Sequence, residues 1–545
     1  MDNSFFDQVK NLIYLAFQYV IVYIIEGILF ALFAVVTAIG YVYNSFPEAL
    51  PGWLRAIIMF FGLVAISRAF WAWRDKVRLG GLTRDAPYGK SEWATRTELK
   101  AAGLLKREGL FLGTWRDGMR SADLYRSGDG HLLTIGAPGS GKTTGLVVPA
   151  LLELKHGAVI VTDPKAQLAA ITARHRKTMG EVYYLNPYVD ELRQQTGIAI
   201  PDSGFNPIAT LQPGYDLKDD AENLARLLMI QDREDSNSYW GDEAAGIMAA
   251  LIYWMVKNEP QENRNLAYLW GMVRQDRQHI RQHLSWLKYS KDKFQQVEGA
   301  RLYDLTTAEK QWQGVISKAQ VATQRYAPNT PIGDHTARHG LDLSKIKRED
   351  ITVYVIVPTG RIKTAAPWLN LVMGVLGREI GKPGEKRPVY MLMDEAPALG
   401  FLPDLRNFLR ESREAGLRAW IFSQTRAALA DPRLYGENGY DDIEGLCETR
   451  QFFAIREPKL AKDISELFGE KTALNRTTKE RMKKDESDTF ATLGVPLIRP
   501  NEVLRMRPPD QLILHGGLPI RAQLVPYWKR STWRNRTDRN PYRGK

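Results

Sequence analysis

The stretch "GAPGSGKTTG", Gly136 to Gly145, decides the fold. It fits G-x-x-x-x-G-K-[ST], a loop whose backbone N–H groups cradle phosphates while its lysine reaches the outer ones and its hydroxyl meets Mg2+. The context is the required one. An apolar run, "HLLTI" (His131 to Ile135), precedes the loop, a helix is expected to begin near Lys142, and a second apolar run, "AVIVT" (Ala158 to Thr162), follows. Gly136, Gly139 and Gly141 are expected to let the backbone turn and approach a phosphate that a Cβ would block. The candidate ATP-binding residues are therefore Gly136, Ala137, Pro138, Gly139, Ser140, Gly141, Lys142, Thr143 and Thr144, with the Thr143 hydroxyl a ligand to Mg2+. Pro149, inside the expected helix, predicts a bend.

A phosphate loop alone binds nucleotide; cleaving it takes a metal carboxylate and a base. "VYMLMDE" supplies both: an apolar strand ending in Asp394 would bring that carboxylate to the sheet edge where the loop opens. Asp394 is the expected second Mg2+ ligand and Glu395 the base that polarises water. Further apolar runs, "VYYL", "ITVYVIV", "AWIFS", "QFFAI" and "QLILH", read as strands buried on both faces, which predicts an α/β domain with a parallel sheet. Roughly 250 residues separate Lys142 from Asp394, far more than βα units of about 30 residues need, so an insertion lies between them. Residues 216–348 have helical spacing and no clear strand, and are that insertion. Its apolar run Ala244 to Val256 is too short for a membrane span and reads as a core helix.

After the acid pair, "DLRNFLRESREAG" places Arg406, Arg410 and Arg413 on one helix face. That pattern fits a solvated basic face, and it fits an arginine finger offered to a neighbouring subunit's γ-phosphate. Gln424, at the end of "AWIFSQ", fits a sensor of that phosphate as well as plain loop polarity.

The chain has 545 residues, enough for two or more domains, and a net charge of +12, which favours nucleic acid or anionic headgroups as partners. Its single cysteine, Cys447, excludes an internal disulfide and fits a reducing compartment. Leu12 to Phe46 and Trp53 to Trp73 are apolar blocks joined by the short turn "NSFPEALPG", which predicts two membrane spans. Arg74, Lys76 and Arg78 follow the second block, so the bulk of the chain is expected on the cytoplasmic side. The expected limits are a membrane region at 1–76, a nucleotide-binding domain at 77–215 and 349–528 around an all-α domain at 216–348, and a basic tail at 529–545. "TTKERMKKDESDTF" (Thr477 to Phe490) reads as a solvated loop.

These residues and "WATRTELKAAGLLKREGLFLG", "VIVTDPKAQLAAIT", "GFNPIATL", "MLMDEAPALGFLPDLRNFLRESREAGLRAWIFSQTRAAL", "LYG" and "PLIRPNEVLRMRPPDQLILHGGLPIRAQLVPYW" together resemble the type IV secretion coupling proteins, in order, over nearly the whole chain. The resemblance implies a multi-pass inner-membrane ATPase with a RecA-type P-loop domain, an inserted all-α domain and a hexameric ring. It implies cargo of relaxase-bound single-stranded DNA, effector proteins or both, delivered to the membrane components and ATPases of a secretion channel. It matches Lys142 and Thr143 to the P-loop, Asp394 and Glu395 to the second acidic motif, Arg413 to the inter-subunit arginine and Gln424 to the sensor. Where the family often shows Asp-x-Lys-Gly-Glu, this chain reads Asp163-Pro164-Lys165-Ala166-Gln167, so the glycine and glutamate roles do not carry over. The periplasmic turn is also shorter than is usual in the family.

The C-terminus, "WKRSTWRNRTDRNPYRGK", interleaves Lys529, Arg530, Arg534, Arg536, Arg539 and Arg543 with Trp528, Trp533 and Tyr542. Arginines neutralise phosphates and aromatics stack on unpaired bases, so the tail fits single-stranded DNA; it equally fits a solubilising tail or anionic lipid. Two rival functions share the motor motifs: a septal-type DNA translocase, and a non-motor receptor platform in which ATP only shapes the protein. The inserted helices and the lack of a C-terminal winged-helix pattern weigh against the first. Glu395 and Arg413 weigh against the second.

Overall fold

The computed structural model describes residues 61–62, 64–65, 67–68, 89–229, 239–384, 387–399, 405–436, 438–478 and 488–542. The first expected span lies outside them, as does most of the second. Among the described residues no helix is long and apolar enough to cross a membrane. The chain divides into two units, one comprising Met1–Tyr88 with Leu474–Leu493, the other Gly89–Ala473 with Gly494–Lys545. In the charged segment expected as a loop, strand structure reaches in from both sides: β10 (Glu470–Thr478) and β11 (Asp488–Pro496) form a two-stranded sheet.

The larger unit is built on an 11-stranded sheet. In chain order its strands are β1 (Leu110–Asp117), β2 (Arg120–Arg126), β3 (His131–Gly136), β4 (Ala158–Thr162), β5 (Val182–Leu185), β6 (Thr352–Val355), β7 (Val389–Met393), β8 (Leu417–Ser423), β9 (Cys447–Phe453), β12 (Asp510–His515) and β13 (Leu518–Gln523). Their spatial order is β2-β1-β13-β12-β9-β3-β8-β7-β4-β6-β5. From β9 to β5 every pairing is parallel, with Leu132 of β3 opposite Trp420 of β8 and Thr449 of β9. From β9 to β2 every pairing is antiparallel.

The consecutive apolar residues follow from burial on both faces. Leu133, Ile135, Ile160, Met391 and Ile421 pack into one core layer; their alternating neighbours Leu132, Val159, Val161, Leu392, Trp420 and Phe422 pack into the other. The cluster of the first layer continues into the helices 217–229, 239–258 and 362–381, and that of the second into α1 (Val148–Glu153) and α2 (Gln167–Arg176). Pro149 lies inside one continuous helical run, because the turn Thr143–Val147 passes into α1 with helical backbone at Val147 and Val148, so its missing N–H falls at the junction of the two. The turn before it, Thr143–Val147, is π-helical.

Between β5 and β6 the described residues hold α-helices and short 3-10 turns only, among them α3 (Leu217–Met229) and α4 (Tyr239–Asn258). Because β5 and β6 are neighbours, this excursion leaves the parallel sheet unbroken. In α4 the run from Ile247 to Val256 is buried throughout, as expected of a core helix. After β6, α5 (Ile362–Gly381) returns along the same face, with Trp368, Leu371, Val372 and Leu376 fully buried.

The C-terminal residues fold back as a strap. Trp533, in the turn α6 (Ser531–Arg534), is 1% exposed, meets Phe111 edge-on at 5.2 Å and donates from Nε1 to Glu153 at 2.6 Å. Arg530 lies over the Trp533 ring at 4.2 Å and grips Asp123 at 2.6 and 2.7 Å. Arg174 donates to Asp538 at 2.7 Å, and the Tyr542 hydroxyl to the Lys165 carbonyl at 2.7 Å. Trp533 is therefore closed to nucleobases, and Arg530 is committed to the protein; the tail reads as a structural clasp more than as a DNA arm. Trp533→Ala is expected to lower unfolding free energy by about 3–5 kcal/mol in chemical denaturation, since it opens a cavity and strips Glu153 of a donor.

Candidate functional site

Parallel strands point their C-terminal ends to one sheet edge, and the order β3-β8-β7 brings three of those ends side by side. β3 delivers the loop Ala137–Gly141, β8 delivers Gln424, and β7 delivers Asp394 and Glu395.

The loop is shaped by its glycines for two different reasons. Gly139 and Gly141 hold φ of +71° and +95°, so these positions require left-handed backbone. Gly136 is needed for packing instead: a Cβ there would lie 2.6 Å from the Phe453 ring of β9. Ser140 closes the loop on itself by donating from Oγ to the Ala137 carbonyl at 2.5 Å, and Thr144 Oγ1 lies 3.5 Å from the Gly141 carbonyl. Pro138 and Ala137 complete the turn.

Lys142 Nζ donates to the Gly136 carbonyl at 2.5 Å, lies 3.4 Å from the Ser423 carbonyl and stands 4.0 Å from Glu395 Oε2. Burial lowers its pKa, and the Glu395 and Asp394 charges partly restore it. Thr143 Oγ1 faces Asp394 Oδ2 at 3.4 Å. Burial pushes the Asp394 carboxyl up to about 6, with Lys142 pulling against it. This donor set fits Mg-ATP: a left-handed loop and a lysine for phosphates, and a hydroxyl facing a carboxylate for the cation. Glu395 holds φ of +63°, left-handed backbone in a non-glycine residue.

Asp163, at the end of β4, was noted in the sequence only as part of an altered motif. It is 2% exposed, and burial pushes it up to about 7 although it accepts the Ala169 amide at 2.8 Å. Ala166 in that motif holds φ of +53°, so the position keeps glycine-like backbone with alanine in place. Beside Gly139 and Ser140 opens a cavity of about 520 Å³ lined by Ala454, Ile455, Arg456, Leu504 and Arg507. Sequence reading missed it because its walls come from strands and loops far apart in the chain.

The structure does not bring Arg413 to this cluster. The helix α7 (Leu405–Ser412) ends before it, so Arg406, Arg410 and Arg413 do not share one continuous helix face; Arg406 pairs with Asp442. Arg413 is exposed and precedes β8, whereas Gln424 follows it. Seven strand residues put the two at opposite sheet edges, about 20 Å apart. Arg413 therefore cannot serve the loop of its own chain.

The base of α7 is bolted to the sheet by His131, which is fully buried at the start of β3. Its Nδ1 accepts the Ala419 amide at 3.1 Å, so Nε2 carries the proton and donates to the Leu409 carbonyl at 2.7 Å. Burial lowers its pKa to about 4. A histidine that stays neutral when folded adds stability that is intact above the unfolded value of about 6.5 and is lost as pH falls from there toward 4. Acidification through that window is expected to remove up to roughly 3 kcal/mol that His131→Gln does not lose, measured by denaturant unfolding at stepped pH.

Comparison with known proteins adds the family. The profile described as "Type IV secretory system Conjugative DNA transfer" matches residues 92–542. The conjugal transfer protein TraG of Escherichia coli is 24% identical over 503 residues, covering 82% of this chain and 75% of that protein. The protein VirD4 of Rhizobium rhizogenes is 23% identical over 460 residues, covering 81% of this chain and 65% of that protein. Among solved structures, the plasmid coupling protein TrwB in complex with the ATP analogue ADPNP shares the fold at a TM-score of 0.57 and 15% identity, over 81% of this chain and 95% of that one. TrwB in complex with ADP and Mg2+ matches at a TM-score of 0.54, with 15% identity over 81% and 94% of the two chains. With a profile match from the first residues of the large unit to its last described turn, the chain belongs to the type IV secretory system conjugative DNA transfer family.

Proposed function

We propose that the chain is the ATP-hydrolysing coupling protein of a conjugative or effector-secreting apparatus. It is a coupling protein of DNA transfer, with ATP and Mg2+ as its cofactors. The observation that carries the hydrolytic reading is the meeting of two motifs across one cleft: Thr143 faces Asp394 at 3.4 Å while Lys142 faces Glu395 at 4.0 Å.

In this reading Lys142 would leave the Gly136 carbonyl for the phosphates, Thr143 and Asp394 would hold Mg2+, Glu395 would orient and deprotonate water, and Gln424 would meet the outer phosphate from the end of β8. Bound Mg-ATP supplies the phosphoanhydride bond. The cavity at Ile455 and Leu504 takes the nucleoside. Arg413, exposed and remote from its own loop, serves the site of a neighbouring copy, which supports a closed ring, six-membered by family resemblance. Residues 1–76 anchor that ring to the inner membrane by two spans, with the inserted helices of 216–348 on the cytoplasmic side. The cargo is relaxase-bound single-stranded DNA, effector protein or both, passed to the channel's membrane components and ATPases.

The test uses the full chain in detergent, assayed with and without single-stranded DNA. Lys142→Ala and Glu395→Gln are each expected to lower kcat on the order of a hundredfold or more, with Glu395→Gln still binding ATP. Arg413→Ala is expected to be as poor alone, yet to regain part of its activity when mixed with Lys142→Ala, because of the two kinds of mixed seam one holds an intact cradle and an intact arginine while the other holds neither. Wild-type rates for Lys142→Ala end the motor reading in favour of a platform; no recovery on mixing ends the shared-site reading.

A further inference from the structure

The sheet edge opposite the phosphate loop gathers three guanidiniums, only one of which has a part in the chemistry above. They are Arg126 at the end of β2, Arg413 in the turn before β8, and Arg418, the second residue of β8. Two carboxylates meet them. Glu448 of β9 takes Arg126 at 2.5 Å, and Asp129, in the loop between β2 and β3, takes Arg418. Arg413 makes no ion pair among the described residues, although Glu411 and Glu414 flank it in the chain.

The main chain around Arg413 is held as firmly as its side chain is free. Leu409, four residues earlier, gives its carbonyl to His131 of β3 at 2.7 Å, and Ser412 is buried. The Arg413 carbonyl accepts the Gly416 amide at 3.1 Å, closing a turn in which Gly416 holds φ of +109°. The Gly416 carbonyl in turn accepts the Val389 amide at the start of β7, at 3.0 Å. Arg418 completes the clamp from β8: its Nη1 donates to the Arg413 carbonyl at 3.4 Å and to the Leu417 carbonyl at 3.1 Å. A residue whose main chain is fixed from three strands, and whose side chain is exposed and unpaired, is presented to something outside its own fold.

Arg418 is a costly residue to keep where it stands. Leu417, Ala419, Trp420, Ile421 and Phe422 of the same strand are fully buried, and Arg418 among them has a side chain only 11% exposed, with its Nε unpartnered. Withdrawing a guanidinium this far from water destabilises the fold unless its bonds do what a smaller side chain could not. What they do is join two segments: one Nη bonds Asp129, the other the Arg413 carbonyl. The loop of Asp129 has no slack to give. A Cβ at Gly130 would lie 2.6 Å from the Glu448 Cβ and 2.9 Å from Arg126 Nη2, so the second ion pair packs against the loop that carries the first. We propose that Arg418, held by Asp129, is a positioning residue that fixes the turn from which Arg413 reaches the nucleotide of a neighbouring copy. This inference rests on the reading of Arg413 as serving that neighbour.

The test uses Asp129→Ala in the full chain in detergent. Its carboxylate is 71% exposed, and an ion pair so open to solvent contributes little to stability, so Tm without nucleotide is expected to stay within about 2 °C of wild type. With ATP, kcat is expected to fall roughly tenfold while KM changes much less. In an Arg413→Ala background the same substitution is expected to cost nothing more, since no guanidinium is left to present. Dilution with excess Lys142→Ala locates the defect. Intact cradles of Asp129→Ala then meet undamaged arginine turns, so the rate per Asp129→Ala protomer is expected to rise to that of wild type diluted equally. Wild-type kcat, a further loss in the Arg413→Ala background, or a rate that stays low at every dilution overturns the proposal. A fall in Tm makes the pair part of the scaffold and overturns it as well. The two failures are separable: if Arg413→Ala does not recover on dilution with Lys142→Ala, the shared-site reading fails, whereas if it recovers and Asp129→Ala behaves as wild type, only the clamp fails.

Discussion

Everything at the site depends on one constraint of sheet order: β8 is hydrogen-bonded between β3 and β7. Had the loop strand and the acid strand been adjacent, nothing from β8 would stand between Lys142 and Asp394. With β8 interposed, its last carbonyl, Ser423, becomes a second acceptor for Lys142, and Gln424 follows it at the same sheet edge. The same strand has Arg413 ahead of its opposite end, so one rigid element joins the loop edge of the sheet to Arg413. A displacement at one end of β8 would be felt at the other, because a seven-residue strand hydrogen-bonded on both sides cannot absorb it locally.

Three residues after strands β4, β7 and β9, namely Ala166, Glu395 and Ala454, hold left-handed backbone without being glycine. Each is destabilised by roughly 1–2 kcal/mol relative to ordinary backbone, and all three sit at the sheet edge that faces the loop. Only Asn329, of the described non-glycine residues, shares that conformation elsewhere. Strain gathered at one edge is consistent with a site whose shape is held by the sheet behind it.

Much of this was legible in the chain. "AVIVT", "VYYL" and "VYMLM" coincide with β4, β5 and β7, because strands buried on both faces leave no polar alternation to blur their limits. Lys142, Thr143 and Asp394 were found because the phosphate chemistry dictates residue types at fixed spacing. Three strands of the antiparallel half were not seen, and the fourth, "QLILH" in β12, was read into the parallel sheet: β1, β2 and β13 carry Arg, Asp and Gln among their apolar residues, and β1 takes its second partner, β13, hundreds of positions away. Arg413 was read as helical because its spacing continues that of Arg406 and Arg410, but Gly416, at φ +109°, and the start of β8 end the helix first. The packing of the basic tail was not legible for a related reason. Composition records the charge of Arg530 and not the Asp123 waiting for it on β2.

The pairing of β1 with β13, Thr114 opposite Gln523, also bears on how the molecule comes to be made. Roughly four hundred residues of chain must leave the ribosome between the first strand and the one that covers its edge, a sequence separation that marks slow, late-closing topology. Until then β1 and β2 expose a hairpin edge of the kind that invites pairing with other chains. Synthesis of this protein is therefore expected to lean on chaperones near its end, and premature stops after β9 should yield aggregates in place of soluble, half-active fragments.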